Sequence, residues 1–173
     1  NAAAAFPRLI DLEIDPRVMG TAVNIIMAQR LIRKLCDHCK ASYEASPEEL
    51  AQVEFVINTH PHPMEIPQPL TLHRAVGCEK CGNAGFKGRM GIFEGIIMDE
   101  AVEDKVINDP REHAIMEAAR PQGIPTMQED GIEKVIQGIT SLTELERVVE
   151  LPHPTLHKTT LPDIQESTLT ETE

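Results

Sequence analysis

Cys36, Cys39, Cys78 and Cys81 are the only cysteines of the chain, and they fall as two C-x2-C pairs separated by 38 residues. Two such pairs can bring four thiolates tetrahedrally onto one zinc ion, each sulfur at about 2.3 Å. A reducing compartment disfavours a disulfide framework, and a redox dithiol needs one CxxC rather than two. Closing a loop of this length costs roughly 4 kcal/mol, against roughly 10–16 kcal/mol apparent for a structural zinc site. The spacing therefore predicts that Cys36, Cys39, Cys78 and Cys81 are metal ligands. Four thiolates leave no open position for water, so catalytic zinc, and with it a zinc hydrolase, is a poor reading. His38, inside the first pair, reads as a neighbour of the site or a solvent-facing residue, not a ligand.

The second pair lies in "GCEKCGNAGFKGRMGIFEG", residues 77–95, which holds six of the ten glycines. Gly82 and Gly85 suit a tight backbone that aims N–H groups at cysteine sulfur. A phosphate cradle needs G-x-x-x-x-G-K-[ST], and no such string occurs in the chain. His60 and His62 flank Pro61; without a third ligand nearby they read as a solvent-exposed loop. No Ser-His-Asp or paired-carboxylate constellation can be argued from spacing, so no residue is assigned a catalytic role. The many Glu residues read as solvated helix faces.

These residues must be positioned by the elements around them. Asp15-Pro16 starts a helix over residues 16–24, with a cap and then Pro in the first turn. "IIMAQRLIRKLC" is ambiguous between helix and strand by period alone. Ser46-Pro47-Glu48-Glu49 is a capping box opening a short helix between the cysteine pairs. "NTHPHPMEIPQPL" carries four prolines in nine residues and predicts an extended, mobile connector over 58–70. "GRMGIFEGIIMD" alternates as a buried strand, with Met90, Ile92, Glu94, Ile96 and Met98 on one face and Phe93 and Ile97 on the other. Asp99 caps a helix to about residue 108, and Pro110 opens another that ends before Pro121. Thr126 and Ser141 begin two further capping boxes, and the helices from residue 99 onward read as a small bundle. From Pro152 the Thr-rich sequence reads as a disordered tail.

At 173 residues the chain suits one core with a small appendage. Residues 1–98 hold 10 basic and 11 acidic side chains, whereas residues 99–173 hold 6 and 17, which gives most of the formal charge of −12. With no basic stripe, no Trp and one Tyr, nucleic acid is a poor partner. No run of about 18 apolar residues or signal peptide is present, and the chain reads as cytosolic. A start at Asn1 without Met suggests a piece of a longer protein.

The blocks "AQRLIRKLCDHCKASYEASPEEL", "AVGCEKCGNAGFKGRMGIFEGIIMDE" and "MQEDGIEKVIQGITSLTELERVV" resemble, in order and spacing, the C-terminal third of the ATPases that power type II secretion and type IV pilus assembly. "NAAAAFPRLIDLEIDPRVMG" resembles the segment just before it, and the likeness runs to about residue 150. The resemblance implies an α/β parent with a RecA-like P-loop motor, of which this fragment is an α+β part. Residues 1–35 would end the motor, 36–88 would form a tetracysteine zinc module, 89–150 a returning strand with a helical subdomain, and 151–173 the tail. It makes "IMAQRLIRK" a strand antiparallel to "GRMGIFEGIIM", with the zinc module inserted between them. It also implies that zinc sits on the four cysteines, whereas ATP and magnesium belong to upstream residues of the parent, leaving this fragment inactive alone. The implied partners are five further copies in a homo-hexamer and an inner-membrane platform protein, at the cytoplasmic side of a bacterial inner membrane. A stand-alone zinc-ribbon interaction module is the alternative; a chaperone-type zinc domain would need four CxxCxGxG repeats, and "CEKCGNAG" is one near-match.

Overall fold

The computed structural model describes residues 1–62 and 64–152; the expected tail lies outside the described residues apart from its first positions. Helices α1 (Ala5–Asp11) and α2 (Pro16–Ala22) lead into the strand β1 (Ile25–Leu35). A small strand β2 (Ala41–Glu44), helix α3 (Pro47–Ile57) and strand β3 (Thr71–Arg74) follow, then the long strand β4 (Phe86–Ile97). Helices α4 (Glu100–Asn108), α5 (Glu112–Ala119), α6 (Met127–Ile136) and α7 (Leu142–Val148) complete the described chain.

The ambiguous stretch is a strand. β1 pairs antiparallel with β4 from Ile25 opposite Ile97 to Leu35 opposite Phe86, with a bulge between Arg33 and Leu35. β2 and β3 form a second antiparallel pair that the sequence reading did not foresee, being four residues each and flanked by cysteine and proline signals. Helix α1 was also not foreseen; Pro7 sits in its first turn, where a missing N–H costs nothing. The Asp15 carboxylate accepts from the Arg17 amide and starts α2 as expected. The Ser46 and Thr126 boxes form in full, each side chain and its N3 glutamate satisfying a free amide. Pro110 lies ahead of the Arg111 cap of α5, not inside its first turn.

Strand β4 buries Ile92, Glu94 and Ile96 but leaves Phe93 and Ile97 on an exposed face, so it is half-buried instead of covered on both sides. Two apolar clusters hold the structure. In one, α3 and β3 contribute Val53, Val56, Ile57 and Leu72, which meet Ile32 and Ile92 of the hairpin and Ile132, Val135, Leu142 and Leu145 of α6 and α7. In the other, Phe6 and Met19 meet Ile96, Val102, Val106 and Ile115. The four C-terminal helices therefore divide between two clusters and do not form one bundle. The described residues of the Pro-rich stretch are free of helix and strand, as expected, and are laid on the first cluster through Met64, Ile66 and Leu70. Gly131 lets α6 and α7 cross closely: a Cβ there would stand 2.4 Å from a Leu145 methyl.

Candidate metal centre

The last residue of β1 runs directly into Cys36, and Gly85 directly precedes β4, so the two cysteine pairs meet where the hairpin strands separate. The Cys36 amide donates to Gly85 O at 3.0 Å and continues the ladder one step past the strands. Each pair is a tight knuckle: Cys39 and Lys40 amides return to Cys36 O, and Cys81 and Asn83 amides return to Cys78 O. Short loops of this kind aim both sulfurs of a pair the same way.

All four Sγ atoms lie within 4.8 Å of one another. Cys36 Sγ lies 3.9 Å from Cys78 Sγ, Cys39 Sγ 3.8 Å from Cys81 Sγ, and Cys78 Sγ 3.8 Å from Cys81 Sγ. A regular tetrahedron with metal–sulfur bonds of about 2.3 Å has edges of about 3.8 Å. Three of the six edges therefore already have the length a zinc–thiolate tetrahedron requires, and none of the cysteines is disulfide-bonded. Cys36 is buried and the other three partly so.

The electrostatics fit the same occupant. The amides of Cys78 and Gly85 donate to Cys81 Sγ at 3.2 and 3.3 Å, the arrangement expected of Gly85. Although burial raises it, these donors hold the Cys81 thiol down at about 6. Burial pushes the Cys39 thiol up to about 12, helped by the neighbouring sulfurs Cys78, Cys81 and Cys36. Four closely packed sulfurs cannot all ionise by themselves, and a divalent cation removes that conflict. Gly85 has φ +76, and a Cβ there would come within 2.6 Å of the Ala75 Cβ, so no larger residue fits its place beside the sulfur. Gly82, at φ +61, turns the chain in open space. His38 is exposed, with Nδ1 3.4 Å from Lys80 Nζ, and is no part of the sulfur cluster. His60 and His62 bond to each other, His60 Nδ1 accepting from the His62 amide at 3.0 Å, far in sequence from any further cluster ligand.

The first knuckle is braced by the turn between α6 and α7. Ile139 O accepts from the Leu35 amide at 2.8 Å, the Thr140 hydroxyl donates to Arg33 O at 2.9 Å, and Lys40 Nζ donates to Gly138 O at 3.1 Å. One turn further, the buried Glu144 carboxylate accepts from the Arg33 amide at 3.1 Å and from the Arg33 and Arg147 guanidiniums. Ser141 caps α7 by accepting from the Glu144 amide, but the reciprocal half of the expected box is absent because Arg33 and Arg147 hold that carboxylate. The guanidinium of Arg33 also stacks over Phe86, 4.1 Å from its centroid.

Glu94, Glu129 and Glu144 overturn the reading of glutamates as solvated faces. Glu129 is paired with Arg120 and accepts from Thr59, and Glu94 accepts from the amides of Ala2 and Met127. Sequence spacing places Glu94 on a strand face with Ile92 and Ile96 and puts Glu129 and Glu144 in capping boxes, but does not reveal their more distant partners, which for Glu144 lie up to 111 residues away. Desolvation alone would raise the Glu144 carboxyl, but its bonds to Arg147 and Arg33 hold it at about 2, below the ordinary 4.5. A depressed folded-state value stabilises the fold above about pH 4.5 and loses that contribution as pH falls towards 2. Glu144→Gln is therefore expected to cost about 2 kcal/mol at neutral pH, less than a fully buried pair because both guanidiniums reach solvent. Urea unfolding across pH should show the difference from wild type constant above pH 5 and shrinking below 4.5. A pH-independent difference would contradict the role given to this carboxylate.

The described residues contain no helix long and apolar enough to cross a membrane. The family model described as Type II/IV secretion system protein matches residues 1–147. Over 151 residues the chain is 35% identical to the type IV pilus assembly ATPase PilB of Thermus thermophilus, covering 87% of this chain and 16% of that protein. Over 150 residues it is 36% identical to the type II secretion system ATPase E of Vibrio cholerae, covering 87% of this chain and 28% of that protein. It is likewise 36% identical over 150 residues to PilB of Pseudomonas aeruginosa, 87% of this chain and 25% of that protein. The chain thus spans between about a sixth and little more than a quarter of the length of these relatives.

Proposed function

Since the chain belongs to the type II/IV secretion system protein family, we propose that it is the C-terminal part of a hexameric secretion or pilus-assembly ATPase, contributing a structural zinc module to that machine. The observation that carries this reading is the closed four-sulfur cluster at the end of the β1–β4 hairpin, in a chain that aligns with ATPases over 87% of its length. Cys36, Cys39, Cys78 and Cys81 would hold the ion, which supplies a cross-link and no reaction chemistry. The cross-link closes a 46-residue excursion onto the hairpin and makes the strands, α3 and the α6–α7 turn one stiff piece. Such a piece suits a lever or docking surface that carries motion from the nucleotide site to an inner-membrane platform protein.

ATP hydrolysis requires backbone amides and a lysine around the β- and γ-phosphates with magnesium, and these would come from the part of the parent beyond this chain. The test is the longer reading frame. It is expected to encode G-x-x-x-x-G-K-[ST] upstream in frame, and the purified longer protein should hydrolyse ATP with magnesium while the 173-residue chain does not. An upstream region without a P-loop would favour a stand-alone zinc-ribbon module and overturn the proposal.

A further inference from the structure

The charge of this acidic chain is not spread evenly in space. Residues 33–40 and 74–89, which form both cysteine knuckles and the strand ends beside them, carry 7 basic side chains against 2 acidic ones, Asp37 and Glu79. The rest of the chain is left with 9 basic and 26 acidic side chains. A divalent ion on four thiolates is itself a dianion and offsets part of the basic excess, but the zinc end stays positive. Three of its cations are engaged: Arg33 by Glu144, Lys40 by Asp37, and Arg74 over the Tyr43 ring. Among the described residues no carboxylate pairs with Lys34, Lys80, Lys87 or Arg89, and the last three are exposed. Arg89 stands directly opposite Arg33 in the hairpin, a like-charge cross-strand pair in which only Arg33 has a counter-ion. Val76, 62% exposed, adds an apolar spot to the same end.

The chain carries a matching counter-charge beyond the described residues. The stretch "DIQESTLTETE", residues 163–173, has four carboxylates, Asp163, Glu166, Glu171 and Glu173, and no basic residue. It lies outside the family match, which ends at residue 147. Helix α7 runs back along β1 away from the knuckles: Ile139 O meets the Leu35 amide, Glu144 meets Arg33, and Val148 O accepts from Arg30. The described chain ends near that point, with Leu151 buried in the first cluster. From Arg30 to Cys36 is six strand residues, about 20 Å. The eleven residues from Pro152 to Asp163 can span up to about 36–40 Å, so the acidic stretch reaches the zinc end with length to spare.

We infer that residues 163–173 dock on the basic zinc end, their carboxylates meeting Lys34, Lys80, Lys87 and Arg89, with Ile164 or Leu169 against Val76. Exposed ion pairs are individually weak, but a tether of this length holds the partner at an effective concentration on the order of millimolar. A second copy of the chain is a poorer occupant, because it brings the acidic excess of its own body with it. The docked stretch occupies the end of the module that a lever would present to a partner, and keeps other anionic surfaces from it. The contact needs no upstream part of a longer protein.

Carbodiimide, which joins a carboxylate to a lysine amine in direct contact, tests this on the zinc-loaded 173-residue chain, with the joined peptides read by mass spectrometry. Links from residues 163–173 to Lys34, Lys80 and Lys87 within one chain should outnumber those to Lys105 of α4 at least about tenfold. Lys87→Glu combined with Arg89→Glu should cut the links to Lys34 and Lys80 at least about fivefold, as should about 0.5 M salt, where the Debye length falls to about 4 Å. In a full-length chain carrying Asp163→Asn, Glu166→Gln, Glu171→Gln and Glu173→Gln, the amide resonances of Lys80, Gly88 and Arg89 should shift while those of α4 and α5 stay in place. Links no more frequent at the zinc end than at Lys105, links indifferent to charge reversal and salt, or unmoved amides would each overturn the docking. Links that join only isotopically distinct chains and vanish on dilution would overturn it too, and assign the surface to a second copy. No readout here involves ATP hydrolysis, so the docking and the ATPase reading can fail separately.

Discussion

Replacing Cys36 and Cys78 by Ser is expected to abolish zinc binding, to release both knuckles, and to loosen the segment between them together with α6 and α7, which share its core. One cysteine is lost from each knuckle, so neither pair can rebuild a four-sulfur site. The apparent contribution of such a site is roughly 10–16 kcal/mol, comparable with the whole stability of an ordinary domain at roughly 5–15 kcal/mol. The remaining ties of the first knuckle, from Leu35 to Ile139 O and from Lys40 to Gly138 O, are single hydrogen bonds worth about 1 kcal/mol each. They cannot compensate. Circular dichroism and limited proteolysis should show cleavage within residues 36–85 of the variant under conditions where wild type is intact. A variant that keeps its structure and melts like wild type would show that the metal is dispensable.

Leu72→Ala carries the second large effect, and it reports on how the module is joined to the rest. Val53, Val56, Ile57, Leu70 and Leu72, all between the cysteine pairs, are buried against the hairpin and against α6 and α7. Leu72 is fully buried, so its truncation should cost about 2–5 kcal/mol, enough to lower the melting temperature by roughly 4–20 °C. Because the cluster is shared, amide protection at Ile132 and Leu145 should fall together with that at Val53 and Val56. Loss confined to residues 36–85 would mean that the module folds as an independent unit.

Legibility in the sequence followed the range of the signals. The clustering of the four cysteines was readable because the C-x2-C spacing is local within each knuckle. Caps at Asp15, Ser46, Asp99 and Thr126 were readable because each depends on two to four neighbouring residues. β1 was ambiguous by period: its burial alternates only weakly, since one face is open and Ile26 and Ala28 are half-covered, and the resemblance settled it as a strand. β2 and β3 escaped because four residues apiece offer too short a pattern, and their pairing spans the Pro-rich connector. The buried carboxylates escaped for a different reason. Glu144 looks like an ordinary N3 glutamate until the fold brings Arg33 across 111 residues to claim it.

Zinc-edge X-ray absorption of the purified chain tests the metal site most directly. A stoichiometry of one zinc per chain with four sulfur neighbours at about 2.3 Å, and no nitrogen or oxygen in the shell, is the result expected of Cys36, Cys39, Cys78 and Cys81. A shell containing oxygen or nitrogen, or protein that is fully folded with no bound metal, would contradict it.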